Sequence, residues 1–327
     1  MDPIGWGVLG PGRIARVFAR DLLLVPDAHL VATGSRSHER AAAFAGELGG
    51  TAYGSYEELV ADPAVDVVYV ASPHSLHAEH TMLALEAGKH VLCEKPMTLE
   101  AVTTQELFDA ARERGLFLME AMWMATNPVI RTMCRLLAAG GHGTPRQVHA
   151  DLGFLVQTDP TDRLVDPALG GGALLDMGIY PLTLAHLVLG EPESLVGVAN
   201  VVGGIDLDVS VAGRYAGGAT AALTASMTAQ SPRTATVATD TGCFHLPRDF
   251  HAPTQVQWVA PDGTDWAPVE WIEPDEPVIG VGYGNEIVEV HRCLRAGETT
   301  SSVVPPEQTV SLMRQLDDVR EQIGVHY

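Results

Sequence analysis

Two polar side chains, Asp176 and Tyr180, stand four residues apart in the otherwise apolar segment 170–181. This spacing places both on one face of a helix, and the leucines around them predict that the helix is buried. Buried polar groups need partners or a cavity. A cation beside a tyrosine favours its ionised form, which lowers the pKa of the phenol and lets it exchange a proton. The alternative is that Asp176 and Tyr180 are simply hydrogen-bonded within the core.

Lys95 is a candidate for that cation. Only Lys89 and Lys95 among the 20 basic residues are lysines. Lys95 follows a predicted strand, His90–Glu94, at the carboxyl edge of a parallel sheet, where open α/β folds bind ligands. Its ammonium is a compact charge that can approach a substrate hydroxyl and release a proton when desolvated. Lys89 follows Gly88 at a predicted helix end and is interpreted as a surface charge that compensates the helix dipole.

A glycine-rich turn follows the first predicted strand. Residues 7–15 read Gly-Val-Leu-Gly-Pro-Gly-Arg-Ile-Ala, a G-x-G-x-x-A pattern between a strand and a helix. Such a turn lets backbone amides approach a pyrophosphate, which predicts a dinucleotide site. The predicted contacts are Gly10, Gly12, Arg13 and Ile14. A tight connection without a ligand is the alternative, because glycine-rich turns also occur for conformational reasons alone.

The second predicted strand ends in Gly34-Ser35-Arg36-Ser37. NAD-binding proteins carry an acid here for the ribose hydroxyls, and this chain has none. A hydroxyl from Ser35 and a guanidinium from Arg36 suit the 2′-phosphate of NADP, and Arg40 can assist. We therefore expect NADP(H) to be preferred over NAD(H). The alternative is that Ser35 and Arg36 only cap and solubilise the helix start.

Three histidines, His74, His77 and His80, recur at steps of three residues after Ser72 and Pro73. This spacing drifts around a helix and no carboxylate clearly completes a ligand set, so a metal site is not expected. The run begins at a predicted strand end, where a nucleotide should lie. We predict that His74 or His77 lies near the cofactor and that His80 is on the surface.

The order of elements predicts an α/β domain with a parallel sheet, residues 1–121, followed by an α+β domain with an antiparallel sheet, residues 122–327. Short apolar runs alternate with amphipathic helices in the first part, as crossover connections require. Its predicted strands are Ile4–Leu9, His29–Ser35, Val65–Ala71, His90–Glu94 and Leu116–Glu120, and its predicted helices are Ile14–Leu24, Ser37–Leu48, Leu76–Ala87 and Leu99–Glu113. The second part has predicted helices at Pro128–Ala138, Asn285–Ala296 and Pro306–Ile323 and predicted strands at Gln147–Leu155, Val196–Val202, Val209–Tyr215, Thr220–Ser226, Thr234–Ala238 and Val256–Val259.

The charge balance excludes some classes of partner. The 327 residues include 20 basic and 41 acidic side chains, a net charge of −21, which argues against nucleic-acid binding. Four cysteines without paired spacing predict reduced thiols. The chain shows no export signal, and no uninterrupted apolar run approaches the ~18 residues of a membrane span. We therefore expect a cytoplasmic protein without a membrane partner.

Together these motifs resemble the Gfo/Idh/MocA oxidoreductase family over essentially the full chain. The resemblance rests on Gly10–Ala15, Ala71-Ser72-Pro73 with His77, Glu94-Lys95-Pro96, and residues 171–176 followed by Tyr180. Many members carry histidine where Tyr180 stands. With tyrosine at this position, the chain resembles the branch of dimeric dihydrodiol dehydrogenases, NADP-dependent xylose dehydrogenases and some sugar ketoreductases. Residues 119–123 and 322–325 look most like the dihydrodiol dehydrogenase group.

The resemblance implies an NADP-binding Rossmann domain and an open-faced, mostly antiparallel sheet that often serves as a dimer interface. It implies that Tyr180 is the acid/base and that Lys95 lowers its pKa and orients the reacting oxygen. Asp176 would hold the lysine or a substrate hydroxyl, and Trp123 would line the pocket. The implied cofactor contacts are Gly10, Gly12, Arg13, Ile14, Ser35, Arg36, Ser72, Pro73, His77, Glu94 and Lys95.

The implied reaction is hydride transfer to or from the hydroxyl or carbonyl carbon of a sugar, cyclic polyol or trans-dihydrodiol. Pocket loops such as Gln157–Val165 would select the substrate. Arg163 is a candidate contact there for substrate or cofactor, although an exposed loop arginine is the commoner case. The expected partners are a small-molecule substrate and further copies of the chain, in a homodimer or higher homo-oligomer through the second sheet.

Two alternatives stay open. One is a nucleotide-binding regulatory protein of the same fold without turnover. The other is a scaffold with a vestigial site, which would bind no cofactor. Lys95 and Tyr180 are both present in this chain, and this favours the enzyme.

Overall fold

The structure is a computed structural model that describes residues 3–156, 162–261 and 269–327. It separates into two compact units. The described residues up to Thr126 form the first unit together with Val278–Val310, and Asn127–Pro277 with Ser311–Tyr327 form the second. The sequence predicts two domains, each a continuous stretch of chain, divided at residue 121. The first unit of the structure also includes Val278–Val310.

The strands of the described residues belong to two sheets. The first sheet contains β1 Ile4–Leu9, β2 Ala28–Gly34, β3 Thr51–Tyr53, β4 Val67–Val70, β5 His90–Glu94 and β6 Leu118–Ala121. The second contains β7 Pro145–Gly153, β8 Pro192–Val202, β9 Ile205–Tyr215, β10 Thr220–Ser226, β11 Ala235–Thr239, β12 Cys243–Leu246, β13 Val256–Val259 and β14 Val269–Ile272.

The α-helices of the described residues are α1 Arg13–Leu22, α2 His38–Leu48, α3 Tyr56–Ala61, α4 His77–Glu86, α5 Ala101–Arg114, α6 Trp123–Thr126, α7 Pro128–Ala138, α8 Ile179–Leu189, α9 Tyr283–Ala296 and α10 Pro306–Ile323. Gly88 and Gly115 follow α4 and α5 with φ of 75° and 65°, so a left-handed glycine lies just after each of these helices. Ser37 caps α2 by accepting from the Arg40 N–H.

The first sheet is parallel, in the order β3-β2-β1-β4-β5-β6, and this confirms the predicted Rossmann domain. Its central strand β4 is buried along its whole length, because helices cover both faces of the sheet. The order reverses beside β1, so the carboxyl ends of β1 and β4 open the crevice in which such folds bind ligands.

The second sheet runs in the order β14-β13-β12-β11-β7-β10-β9-β8. Every neighbouring pair is antiparallel except β7 with β10, and this confirms a mostly antiparallel sheet. α8 packs against β7 and β10. Helix α10 packs closely on β8. At Gly197 of that strand a Cβ would lie 2.8 Å from the Val319 side chain of α10.

One helical segment of the described part of the chain, Pro167–Leu189, is long and apolar enough to cross a membrane by length and composition. Of the 18-residue window that meets this criterion, 78% is buried inside the fold, which is the position of a core helix.

The interpretation of Lys89 as a surface charge is wrong. Its side chain is half-buried, and Nζ donates to the carbonyl oxygens of Asp62 and Val65 at 2.8 and 2.7 Å. Lys89 therefore ties the turn before β4 to the end of α4.

Candidate active site

The glycine turn after β1 exposes the start of α1. Gly10 has φ +92°, and a Cβ there would lie 3.0 Å from the Ala71 carbonyl oxygen at the end of β4. Gly12 is the N-cap of α1 and, as a glycine, has no side chain that could accept a hydrogen bond from the helix N–H groups. The first N–H groups of the helix, at Arg13 and Ile14, have no intrahelical acceptors and are available to an anion.

These residues fit the pyrophosphate of a dinucleotide. A side chain at Gly10 would meet backbone, whereas a Cβ at Gly12 would meet only the Gly10 oxygen, at 4.0 Å. The turn thus keeps open backbone in front of a helix N-terminus, which is where a pyrophosphate binds.

The end of β2 carries the two residues expected to read the ribose. Ser35 is buried, and its Oγ accepts from the Ser37 N–H at 3.3 Å. Arg36 is exposed. Ser37, and not Ser35 or Arg36, supplies the side-chain cap of α2.

The histidines after β4 are buried, and the expectation of a surface His80 is wrong. His77 places Nδ1 2.8 Å from the Pro96 carbonyl oxygen and Nε2 2.8 Å from that of Ser72. The Nδ1 of His80 lies 2.9 Å from the Ser72 Oγ, and Tyr56 packs edge-on against its ring. His77 therefore links the loops after β4 and β5, while His80 supports the first of them.

His74 lies next to this pair, with its ring 5.6 Å from that of His77. Among the residues that the structure describes, no group of three histidine, cysteine or acidic side chains is placed to hold a metal ion.

Lys95 follows β5 directly and is 9% exposed. Its backbone N–H donates to the Glu94 carboxylate at 3.1 Å, and the Tyr69 hydroxyl donates to the other oxygen of that carboxylate. Pro96, the next residue, lies against His77. The backbone on both sides of Lys95 is thus held by buried side chains, so the lysine starts from a fixed position.

A second buried acid, Glu120, lies near Lys95 at the end of β6. Its carboxylate accepts from the Met97 N–H at 3.0 Å. Burial raises its pKa to about 7, against the opposing effects of that hydrogen bond and of the Lys95 charge. Sequence reasoning used Glu120 only as part of a family motif, although a carboxylate inside a buried strand is itself a signal.

Trp123, the first residue of α6, is buried, and its ring stacks on Tyr283 with centroids 4.5 Å apart and planes 15° from parallel. Tyr283 begins α9. This contact holds the indole in one orientation within the first unit.

In the second unit, Asp176 and Tyr180 lie on consecutive helical segments. Asp176 belongs to a π-helical turn, Leu174–Gly178, and Tyr180 to α8, which follows it. A single regular α-helix was expected, and the wider turn is a correction; such turns are frequent at functional sites. Both residues are buried, at 8% and 6% exposure.

Arg163 contacts Asp176 directly. Its Nη2 lies 3.2 Å from the carboxylate Oδ1, and the arginine side chain is 41% exposed. This is a specific role beyond that of an exposed loop arginine. Of the loop Gln157–Val165, residues 157–161 lie outside the described residues.

His251 is a neighbour of Tyr180 that sequence reasoning missed. The two rings lie 5.0 Å apart at an angle of 50°. No motif surrounds His251, so no local signal pointed to it.

The predicted residues thus fall into two groups. The nucleotide turn, Arg36, His77 and Lys95 belong to the first unit. Arg163, Asp176 and Tyr180 belong to the second, where Arg163 pairs with the buried carboxylate of Asp176 and Tyr180 lies beside His251.

Two protein-family models match the chain, one over its N-terminal part and one over the part that follows. A model described as an oxidoreductase family with an NAD-binding Rossmann fold matches residues 4–122. A model of the GFO/IDH/MocA C-terminal domain matches residues 130–245.

Named relatives cover nearly the whole chain. Trans-1,2-dihydrobenzene-1,2-diol dehydrogenases from Mus musculus and Homo sapiens are 35% and 36% identical to it, over 98% of this chain and 97% of theirs. The structure of a 3-ketoreductase from Actinomadura kijaniata, in complex with NADP and TDP-benzene, is 30% identical over 98% of both chains, with a TM-score of 0.88. An aldose-aldose oxidoreductase from Caulobacter crescentus shares the fold, with a TM-score of 0.87 at 24% identity over 98% of this chain and 97% of that one.

The glycine turn, the parallel sheet and the second sheet define an oxidoreductase with an NAD-binding Rossmann fold. The chain belongs to the Gfo/Idh/MocA family, which confirms the resemblance found in its motifs. Its chemistry is that of a dehydrogenase acting on CH–OH groups with a nicotinamide cofactor.

Proposed function

We propose that the protein transfers hydride between NADP(H) and the hydroxyl or carbonyl carbon of a sugar, a cyclic polyol or a trans-dihydrodiol. The observation that carries this proposal is the placement of Lys95, a nearly buried lysine directly after β5 at the carboxyl edge of a dinucleotide-binding sheet. Relatives named as dihydrodiol dehydrogenases and a 3-ketoreductase support the substrate classes.

The preference for NADP(H) is supported by Arg36. It is exposed at the end of β2, and Ser37 already fills the capping role. A guanidinium binds a phosphate with two parallel hydrogen bonds, so Arg36 suits the ribose 2′-phosphate.

In the proposed mechanism Tyr180 exchanges a proton with the substrate oxygen. During oxidation, the phenolate takes the hydroxyl proton as the C–H bond gives up its electron pair with the hydrogen. The bound nicotinamide ring would accept that hydride. The family resemblance implies that Lys95 would favour the ionised tyrosine and orient the reacting oxygen, because an ammonium stabilises nearby negative charge. It implies that Asp176, which pairs with Arg163, would orient the lysine or a substrate hydroxyl.

The first test is the NADP-linked absorbance change with aldoses, cyclic polyols and trans-dihydrodiols, measured beside Tyr180→Phe. We expect kcat to fall by ~10²–10⁴-fold in the variant, because general acid–base catalysis contributes that much. NADPH affinity should not change. A variant that keeps most of its activity would move the proton-transfer role to Lys95.

Tyr215→Phe is the matched control. Tyr215 is buried in the same unit, and its hydroxyl has no hydrogen-bond partner among the described residues, so its loss should leave kcat unchanged. A wild-type protein that binds NADPH tightly but reduces or oxidises nothing in the panel would contradict the enzyme proposal and favour a nucleotide-binding regulator.

We also propose a homodimer formed through the second sheet. Val196 and Val198 on the edge strand β8 are 61% and 65% exposed. They pair across the sheet with Ala212 and Ser210, which are exposed as well. An exposed face of small and β-branched side chains suits a second copy of the same face.

A cytoplasmic location is part of the proposal. The cysteines Cys93, Cys134, Cys243 and Cys293 are all free thiols. Free thiols suit a reducing compartment.

A further inference from the structure

The turn that leads into the helix of Asp176 and Tyr180 is held by a buried carboxylate. Asp206, at the start of β9, accepts a 2.6 Å hydrogen bond from the backbone N–H of Leu174. Leu174 is the first residue of the π-helical turn that contains Asp176. A carboxylate at this place satisfies a backbone N–H that has no partner inside the helix and interacts favourably with the positive end of the helix dipole.

Tyr327 holds the same turn from a second direction. Its hydroxyl donates to the carbonyl oxygen of Gly171, and the guanidinium of Arg320 lies 5.1 Å from the centre of its ring. Gly172 lies between the two contacts, with φ +125°. A Cβ there would lie 2.3 Å from Asp206 Oδ1 and 3.0 Å from the Tyr327 hydroxyl, so this position has room only for glycine.

The turn is also tied to the loop of Arg163. The N–H of Gly172 donates to the carbonyl oxygen of Leu164 at 3.0 Å. Arg163 and Asp176 form the ion pair described above. A shift of the turn would therefore move both partners of that ion pair and the start of the helix that carries Tyr180.

Burying the carboxylate of Asp206 in this position costs folding free energy. It is fully buried, and its Oδ1 has no hydrogen-bond partner in the described residues. Burial raises its pKa to about 6, although the N–H groups of Leu174 and Ala173 and the charge of Arg320 act in the opposite direction. Arg320 and Tyr327 are the charged and titratable groups that face it. Ionised Asp206 at neutral pH therefore opposes folding, which suggests that it serves another purpose.

We propose that Asp206 and Tyr327 are positioning residues for catalysis: they fix the turn Gly170–Gly172 and thereby the placement of Asp176 and Tyr180. This inference rests on the proposed function, since it assigns the pair to the reaction of Tyr180. Neither residue needs to touch the substrate.

Asp206→Asn tests the role of the carboxylate. The amide keeps the shape and one acceptor oxygen but loses the charge. We expect kcat to fall roughly 10–100-fold, because small displacements of catalytic groups cost about that much. The dissociation constant of NADPH should not change. The Tm at pH 8 should not fall, whereas a merely structural residue would lose Tm and keep kcat.

The pH profile is a second readout. Wild-type kcat should decline as Asp206 takes up a proton near pH 6. In Asp206→Asn this acid limb should be absent, since the side chain is neutral throughout. Asp208→Asn is the control on the same strand, because Asp208 accepts from Ser226 and Thr228 rather than from the helix start.

Tyr327→Phe keeps the ring beside Arg320 and removes only the hydrogen bond to Gly171. Backbone hydrogen exchange over residues 171–182 should become faster in this variant, a measurement that needs no turnover. Unchanged exchange together with unchanged kcat in both variants would overturn the inference. If the wild-type protein turns over no substrate, the proposed function fails, while the exchange result still decides whether the two residues hold the turn.

Discussion

Arg36 is the residue on which cofactor choice should depend. We expect Arg36→Ala to weaken NADPH binding by about 10–100-fold, the value of a charge-assisted hydrogen bond to phosphate of about 1.5–3 kcal/mol. NADH affinity should stay the same, because NADH carries no 2′-phosphate. Fluorescence titration of both nucleotides into wild type and variant measures this. Equal affinity of the wild type for NADH and NADPH would contradict the prediction.

The sequence pointed to Lys95 and Tyr180 because each is a polar group in an apolar setting with a recognisable neighbour pattern. Asp206 and His251 could not be found in this way. They reach the turn and the tyrosine through tertiary contacts, across 32 residues in the case of Asp206 and Leu174. The prediction for His80 failed for a related reason: its partner, the Ser72 hydroxyl, comes from the loop after β4 and not from its own helix.

Helix α9 contains two buried glutamates in opposite environments. Neither oxygen of Glu286 has a hydrogen-bond partner among the described residues. Burial, with Glu94 and Asp21 as nearby acids, raises its pKa well above the usual range. Glu289 is buried too, but bonds from Arg292 and Ser301 lower its pKa. The fold therefore favours the neutral form of Glu286 and the ionised form of Glu289.

Glu286→Gln should stabilise the protein more at pH 8 than at pH 5. The raised pKa means that the unfolded chain releases the proton above about pH 4.5 while the folded chain keeps it. Stability of the wild type then falls with rising pH, by at most about 1.4 kcal/mol per pH unit. Glutamine removes this dependence. Thermal melts at pH 5, 6.5 and 8 give the comparison.

Glu289→Gln is the control on the same helix and should behave oppositely. Its folded pKa is lowered, so the stability it contributes is present above the unfolded pKa and is lost only in acid. The variant should lower Tm at all three pH values. A Glu286→Gln variant that loses Tm in the same way would show that Glu286 is ionised and paired.

Among the elements, segments with a clear pattern were predicted well, including the four-residue strand β13, whereas several other short elements were missed. The bounds of β1, β5, α7 and α10 agree with the sequence patterns, because each has a clear apolar period. The strands β3, β12 and β14 were missed, since they have three or four residues and depend on their neighbours in the sheet. The π-helical turn at Asp176 also has no local sequence signal.

The oligomeric state is a property of the whole molecule. If the face of β8 joins two copies, Val198→Lys should convert a dimer into a monomer in sedimentation velocity, because paired ammonium groups would be buried without partners. Val102→Lys is the control, since Val102 on α5 of the first unit is 61% exposed, close to the 65% of Val198. A wild-type protein that sediments as a monomer would refute the proposal.

The first unit is built from two stretches of chain, and this affects how it is made on the ribosome. Trp6 is fully buried, and its indole N–H donates to His291 at 3.0 Å. Asp21 accepts from the N–H groups of Val281 and Tyr283 at the start of α9. About 180 residues separate Thr126 from the end of this second stretch, which takes roughly 10–40 s to translate. The nucleotide-binding sheet of the nascent chain therefore stays incomplete until α9 has been synthesised, and its aromatic surface stays uncovered until then. A chaperone would matter most at this stage of synthesis.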